Sequence, residues 1–185
     1  PSLLCERMEE GQLSASSALA QVVIGVRRSG KSTLCEKFLR QQGVSFAYVN
    51  FDDDRLIALR PSDFDNVLDA LYQVYGDFKY LFLDEVQNIE GWQLFVNRML
   101  RQKIHIFVTG SNSKLLSSEL TTHLTGRHNR VELYPFSFAE YASVRGVELN
   151  ALSTKNKALR KKALSEYLIE GGFPELLHEP NKRGY

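Results

Sequence analysis

Apolar residues run unbroken through Val22-Val23-Ile24, and resume after a polar stretch at helical spacing through Leu34, Cys35, Phe38 and Leu39. A short apolar run reads as a buried strand, and a 3.6-residue period as an amphipathic helix. The same alternation continues along the chain. It predicts strands at about 21–25, 45–51, 79–84, 104–109 and 130–134, and helices at about 31–42, 62–76 and 91–102, with a shorter helix near 113–120. Strands separated by helices build βαβ units, which give a parallel sheet with right-handed crossovers. The fold expected is α/β, three layers deep, with a five-stranded parallel sheet.

The pattern divides the chain. Residues 1–19 are weakly patterned, with the small polar run Ser14-Ala15-Ser16-Ser17-Ala18. Residues 20–135 form the predicted core. After Pro135 a helical region begins over 136–185. Ser137 and Glu140 have capping-box spacing, and residues 153–170 read as a helix carrying Lys155, Lys157, Arg160, Lys161 and Lys162. That basic run reads first as a solvated helix face. No aromatic residue is interleaved within it, which weakens a nucleic-acid reading.

Chemistry enters between the first strand and the first helix. Gly25-Val26-Arg27-Arg28-Ser29-Gly30-Lys31-Ser32 reads G-x-x-x-x-G-K-[ST], a phosphate-binding P-loop in strand–loop–helix context. Backbone N–H groups of such a loop and of the helix start make a concave anion site. Gly25 and Gly30 are expected to supply positive φ and close approach to phosphates. Lys31 would bridge the β- and γ-phosphates, and Ser32 would ligate Mg²⁺. Arg28, Ser29 and Thr33 join these as candidate nucleotide contacts.

A second element follows. Tyr80-Leu81-Phe82-Leu83-Asp84-Glu85 is an apolar strand ending in two carboxylates, a Walker B pattern. Asp84 would hold Mg²⁺ and Glu85 would polarise the attacking water. Phe46–Phe51 comes between the two Walker strands in the sequence, an order that fits ATPases with a strand inserted between them. At the tip of the next strand Ser111 is the first choice to sense the γ-phosphate, with Thr109 and Asn112 as alternatives; a helix N-cap is the competing role for Ser111.

Composition adds limits. The chain has 185 residues, 43% hydrophobic and 24% charged, with net charge +1. That is an ordinary globular balance with no global pull toward nucleic acid or membrane. No apolar run reaches the ~18 residues of a membrane span. Cys5 and Cys35 fit no metal spacing and are expected in a reducing cytoplasm. His105, His123, His128 and His178 form no ligand set.

Taken in order, these segments resemble the bacterial and archaeal AAA+-type predicted ATPases, in which a P-loop ATPase domain precedes a C-terminal domain of unknown function. The resemblance covers about residues 20–178. It is carried by the P-loop, Asn50-Phe51-Asp52-Asp53-Asp54-Arg55, Leu83-Asp84-Glu85-Val86-Gln87-Asn88 with Trp92, and Thr109-Gly110-Ser111-Asn112 with the residues to Leu116. Leu124-Thr125-Gly126-Arg127, Leu133-Tyr134-Pro135-Phe136-Ser137-Phe138 and Gly171-Gly172-Phe173-Pro174 complete it.

The resemblance implies ATP and Mg²⁺ as ligands, with hydrolysis coupled to a conformational change. It implies that Arg127, or its competitor Arg130, reaches the γ-phosphate of a neighbouring subunit in a homo-oligomer. Arg27 and Arg28 are expected to contact phosphate or a carboxylate of Asp52-Asp53-Asp54. Pro174 resembles the proline of a Gly-x-Pro signature that lies near the nucleotide base. The segment before the first strand departs from the family's basic, aromatic entry, and the usual C-terminal domain is expected to be missing. The macromolecular client stays open. Three function classes follow, the first two being an ATPase motor or switch and a nucleotide-dependent binding module with little hydrolysis of its own. A DNA-associated ATPase is the third.

Overall fold

The computed structural model describes residues 8–56, 58–111, 124–135, 137, 140–142, 145–149 and 153–170. Five parallel strands form one sheet: β1 (Ala20–Gly25), β2 (Ala47–Asn50), β3 (Tyr80–Asp84), β4 (His105–Gly110) and β5 (His128–Leu133). Their spatial order is β2-β3-β4-β1-β5. The strand between the two Walker strands in space is therefore β4, which pairs with both β1 and β3. The strand that lies between them in the sequence, β2, sits at the edge and pairs with β3.

The predicted strands and the helices within the described residues are present, with ends shifted by no more than two residues. Helices α1 (Lys31–Gln41), α2 (Phe64–Tyr75) and α3 (Trp92–Arg101) connect the strands, and α4 (Thr154–Glu170) follows. The short helix expected near 113–120 lies outside the described residues.

Alternation along each strand sorts its side chains onto two faces. Val22, Ile24, Leu81, Leu83, Ile106 and Val108 face α2 and α3, whose Phe64, Leu68, Trp92, Phe95 and Met99 complete one core. Val23, Phe82, Phe107 and Val131 face α1, where Leu34, Cys35, Phe38 and Leu39 meet them. The result is helix, sheet, helix. Phe107 is fully buried, with its ring 5.8 Å from that of Phe38. Removing such a ring costs about 3–5 kcal/mol, so the seat of α1, and with it the P-loop, depends on this contact.

The described part of the N-terminal segment is tied to the body. Lys37 donates to Glu10 at 2.9 Å, Asn129 donates to the Gln12 carbonyl at 2.9 Å, and Leu13 is buried against the α1 face. Beyond β5 the Ser137–Glu140 capping box forms: the Ser137 N–H donates to Glu140 Oε2 at 2.8 Å, and the Glu140 N–H to Ser137 Oγ at 3.3 Å. On α4, Lys155, Lys157, Lys161 and Lys162 are exposed, while Arg160 donates to the Leu149 carbonyl.

Candidate functional site

All strands are parallel, so their carboxyl ends gather at one edge of the sheet, where open α/β sheets hold ligands. β1 delivers the P-loop there. A Cβ on Gly25 would stand 2.3 Å from the Leu133 carbonyl oxygen of β5 and 2.8 Å from Ser29 Oγ. Close approach to the neighbouring strand explains this glycine; Gly30 has the positive φ expected of it (90°), Gly25 does not, and Arg28 (66°) takes it in the loop between them. A non-glycine residue in that region costs about 1–2 kcal/mol, so the fold holds Arg28 in a strained turn.

Gly30 caps α1 without a side-chain hydrogen bond, and no acid stands in the first turn. The first N–H groups of α1 are left for an anion, with the positive end of the helix dipole behind them. Ser29 is fully buried and its Oγ has no hydrogen-bond partner among the described residues. An orphan hydroxyl costs about 1–3 kcal/mol. A phosphate oxygen would satisfy it, so the loop fits a polyphosphate. Arg28 and Thr33 are exposed at the loop and helix start.

Lys31 is 3% exposed. Its ammonium donates to the Val26 carbonyl at 3.1 Å and lies 3.4 Å from Glu85 Oε1. Burying a charge is costly unless it is paired, and the loop carbonyl and Glu85 meet that need. Ser32 Oγ donates to Asp84 Oδ1 at 2.8 Å. The P-loop hydroxyl and the Walker B carboxylate, 52 positions apart, thus form one pair. Mg²⁺ takes few protein ligands and leans on phosphate oxygens and water, which suits a site made of these two groups.

Asp84 has further donors. Thr109, on β4, donates its hydroxyl to Oδ1, and Tyr48, on β2, donates to Oδ2 at 3.0 Å. Burial, then the Asp84 charge, push the Tyr48 phenol up, so it stays a donor. Burial, then the Asp84 charge, also push the Cys35 thiol up, which makes it a packing group and not a nucleophile.

Glu85 adopts a left-handed backbone, φ 54° and ψ 47°. Its N–H donates to Thr109 Oγ1 at 3.0 Å, and its carbonyl accepts from the Asn88 N–H at 3.2 Å. These bonds hold an outlier conformation, of the kind found at functional sites. The Glu85 carboxylate meets Lys31 on one oxygen and the Gln87 amide on the other. Gln87 Oε1 accepts from the Ser111 N–H at 3.3 Å. Gln87 therefore joins the candidate base to the tip of β4.

Among the candidates for sensing, Thr109 is fully buried and bonded to Asp84 and Glu85, while Ser111 reaches the site through its backbone N–H. Asn112 and Pro174 lie outside the described residues. Arg27 pairs with Asp52 at 3.0 Å, one of the two contacts expected of it. In the same run, Arg55 holds the Asp53 carboxyl down at about 2.

Arg127 stands apart. It directly precedes β5, at the amino end of the sheet, with its guanidinium on Asn97 Oδ1 at 3.3 Å and its carbonyl accepting from the Ala20 N–H at 2.9 Å. Arg130 lies midway along β5 opposite Val22 and pairs with Glu132 at 3.4 Å. Neither arginine belongs to the cluster around Lys31 and Asp84.

Tyr48 and Gln87 belong to the site although neither is part of a P-loop or Walker B pattern in the sequence. Tyr48 looks there like one more position of an apolar strand. Only the pairing of β2 beside β3 brings its hydroxyl to Asp84. Gln87 lies two residues beyond the Asp-Glu pair, and that proximity was the available signal.

Comparison with known proteins agrees with this geometry. The family model described as an AAA domain matches residues 17–142. The uncharacterized protein MJ1544 of Methanocaldococcus jannaschii is 36% identical over 158 residues, which cover 84% of this chain and 36% of that protein. An uncharacterized protein of Haemophilus influenzae is 35% identical over 165 residues, 85% of this chain and 40% of that protein. The chain thus spans about two fifths of the length of these relatives. Among the described residues no helix is long and apolar enough to cross a membrane. The AAA match runs through every strand that carries the site, and the chain belongs to the AAA domain family, with an AAA-type nucleotide-binding fold.

Proposed function

We propose that this domain binds ATP with Mg²⁺ and hydrolyses it, with Glu85 as general base, and that nucleotide state is converted into a change of shape. The observation that carries the reading is the Lys31–Glu85 pair at 3.4 Å beside the Ser32–Asp84 pair at 2.8 Å. Cation, base and metal-holding groups converge within one carboxyl-end cluster, next to an uncapped helix start and an orphan hydroxyl. That is the set of groups a phosphoryl-transfer site needs.

The steps follow from the contacts. Incoming phosphates offer Lys31 a stronger partner than the Val26 carbonyl and Glu85. As the ammonium turns to them, Glu85 Oε1 is freed to accept a proton from water. Ser29 Oγ and the first N–H groups of α1 bind phosphate oxygens. Ser32 and Asp84 are the residues that would hold Mg²⁺, which when bound neutralises charge on the phosphate oxygens. Arg127 serves the γ-phosphate of a neighbouring copy, so the domain works in an assembly.

The test is Mg²⁺–ATP hydrolysis measured over a range of protein concentrations, with Glu85→Gln as control. Turnover that rises with concentration, falls about 10²–10⁴-fold in the variant and leaves ATP binding intact supports the reading. Equal loss of binding and turnover in Glu85→Gln makes Glu85 structural and sinks it. A second reading, a nucleotide-dependent switch with little intrinsic hydrolysis, is favoured by two contacts: Lys31 engages one Glu85 oxygen and Gln87 the other. Tight ATP binding without turnover at any concentration selects it.

A further inference from the structure

The Walker B carboxylate is held from three directions. Asp84 Oδ1 accepts from Ser32 of α1 and Thr109 of β4, and Oδ2 accepts from Tyr48 of β2 at 3.0 Å. A carboxylate turns easily about its last torsion, which has broad wells. Donors on one oxygen alone leave that rotation open, and a donor on the second oxygen closes it. The Tyr48 ring packs with its centroid 5.1 Å from that of Phe82. Tyr48 also walls a cavity of about 520 Å³ that Ser32 and Tyr75 line.

Packing alone does not account for the hydroxyl. The ring contact with Phe82 and the pairing of β2 with β3 would serve a phenylalanine equally well. What the hydroxyl adds is a bond to the carboxylate.

We propose that Tyr48 is a positioning residue for the magnesium site, acting through Asp84: its hydroxyl fixes the carboxylate plane in which Asp84 meets the hydrated ion beside the nucleotide. The inference rests on the proposed ATP–Mg²⁺ reading. Outer groups that orient a metal-holding side chain are commonly worth 10–100-fold in metal affinity. Among the described residues Tyr48 is the one side chain of the edge strand β2 with a hydrogen bond to the Asp84 carboxylate, so β2 reaches that carboxylate through this side chain.

The experiment is calorimetric binding of a non-hydrolysable ATP analogue to the whole chain, without Mg²⁺ and across a Mg²⁺ titration. In Tyr48→Phe, metal-free binding is expected to match wild type, while the Mg²⁺ concentration for half effect rises about tenfold. Tyr75→Phe removes a hydroxyl from the same cavity that does not touch Asp84, and is expected to leave both quantities unchanged. Both variants are expected to melt cooperatively, Tyr48→Phe a few degrees below wild type because it loses a hydrogen bond to a charged group. A wild-type Mg²⁺ dependence in Tyr48→Phe overturns this inference and leaves the ATP–Mg²⁺ reading standing. Loss of metal-free binding in Tyr48→Phe, or the same Mg²⁺ shift in Tyr75→Phe, reduces Tyr48 to packing and also overturns it. A wild-type chain that binds the analogue with no response to Mg²⁺ overturns both together.

Discussion

The two ends of the same five strands could hardly differ more in chemistry. At the carboxyl ends, Lys31, Ser32, Asp84, Glu85 and Thr109 share hydrogen bonds in a largely buried cluster. At the amino ends Arg127 rests on Asn97, Asn129 donates to Gln21, and His105 meets the Ser17 carbonyl at 3.0 Å; these contacts join neutral side chains, backbone and one arginine, with no carboxylate among them. β5 rises about 3.3 Å per residue, so its six residues separate the ends by on the order of 17 Å. An arginine side chain does not span that. The difference teaches that one copy of this domain offers a nucleotide cluster at one end and an exposed arginine at the other. On the proposed reading, in which Arg127 serves a γ-phosphate, that phosphate belongs to a second copy.

The variant with the largest expected effect tests that division. Arg127→Ala should lower turnover about 10³-fold or more, the usual worth of an arginine finger, while nucleotide affinity stays at the wild-type value. Mixing it with Lys31→Ala, whose own P-loop is disabled but whose Arg127 is intact, should restore turnover, because each supplies what the other lacks. Steady-state hydrolysis of each variant and of the mixture checks this. Wild-type turnover in Arg127→Ala, or no recovery on mixing, breaks the two-copy picture and returns catalysis to the carboxyl ends alone.

Within the carboxyl-end cluster a smaller effect separates aiming from chemistry. Gln87 contacts the Glu85 carboxylate and the Ser111 N–H, so it ties the base to the tip of β4. A hydrogen bond to a charged group is worth about 1.5–3 kcal/mol, so Gln87→Ala should lower kcat about tenfold or somewhat more and leave KM unchanged. A change in KM with kcat preserved would assign Gln87 to substrate binding instead.

These cases also mark what the sequence made legible. Contiguous signals survive: the P-loop is read from eight successive residues, and the strands from their apolar runs. Even the Ser137–Glu140 capping box is visible, because its partners stand one helical turn apart. What escapes is whatever depends on strand order. Tyr48 reaches Asp84 because β2 pairs with β3, and Thr109 does so because β4 lies between the Walker strands. The sequence order of the strands suggests β2 for that central place, and tertiary pairing gives it to β4. Gly25 shows the same limit. Its glycine looks like a demand of the loop, yet its nearest constraint is the Leu133 carbonyl on β5, a strand more than 100 residues later.

The smallest expected effect comes from the same end of the sheet and sharpens the contrast between buried and exposed charge. Arg27 lies in the P-loop and pairs with Asp52 at 3.0 Å, yet its side chain is 79% exposed and that of Asp52 is 50% exposed. Lys31, four residues on, is 3% exposed and faces Glu85. In high dielectric an ion pair gains little, and holding two long side chains together costs entropy, so an exposed pair contributes about 0–1 kcal/mol. Arg27→Ala should therefore lower stability by no more than about 1 kcal/mol in urea unfolding. If Arg27 is held by Asp52 and not by phosphate, nucleotide affinity should stay within about twofold at physiological salt. A larger loss of affinity, growing as salt is lowered, would show that Arg27 leaves Asp52 for the nucleotide. The exposed rim would then belong with the buried cluster as part of the phosphate site.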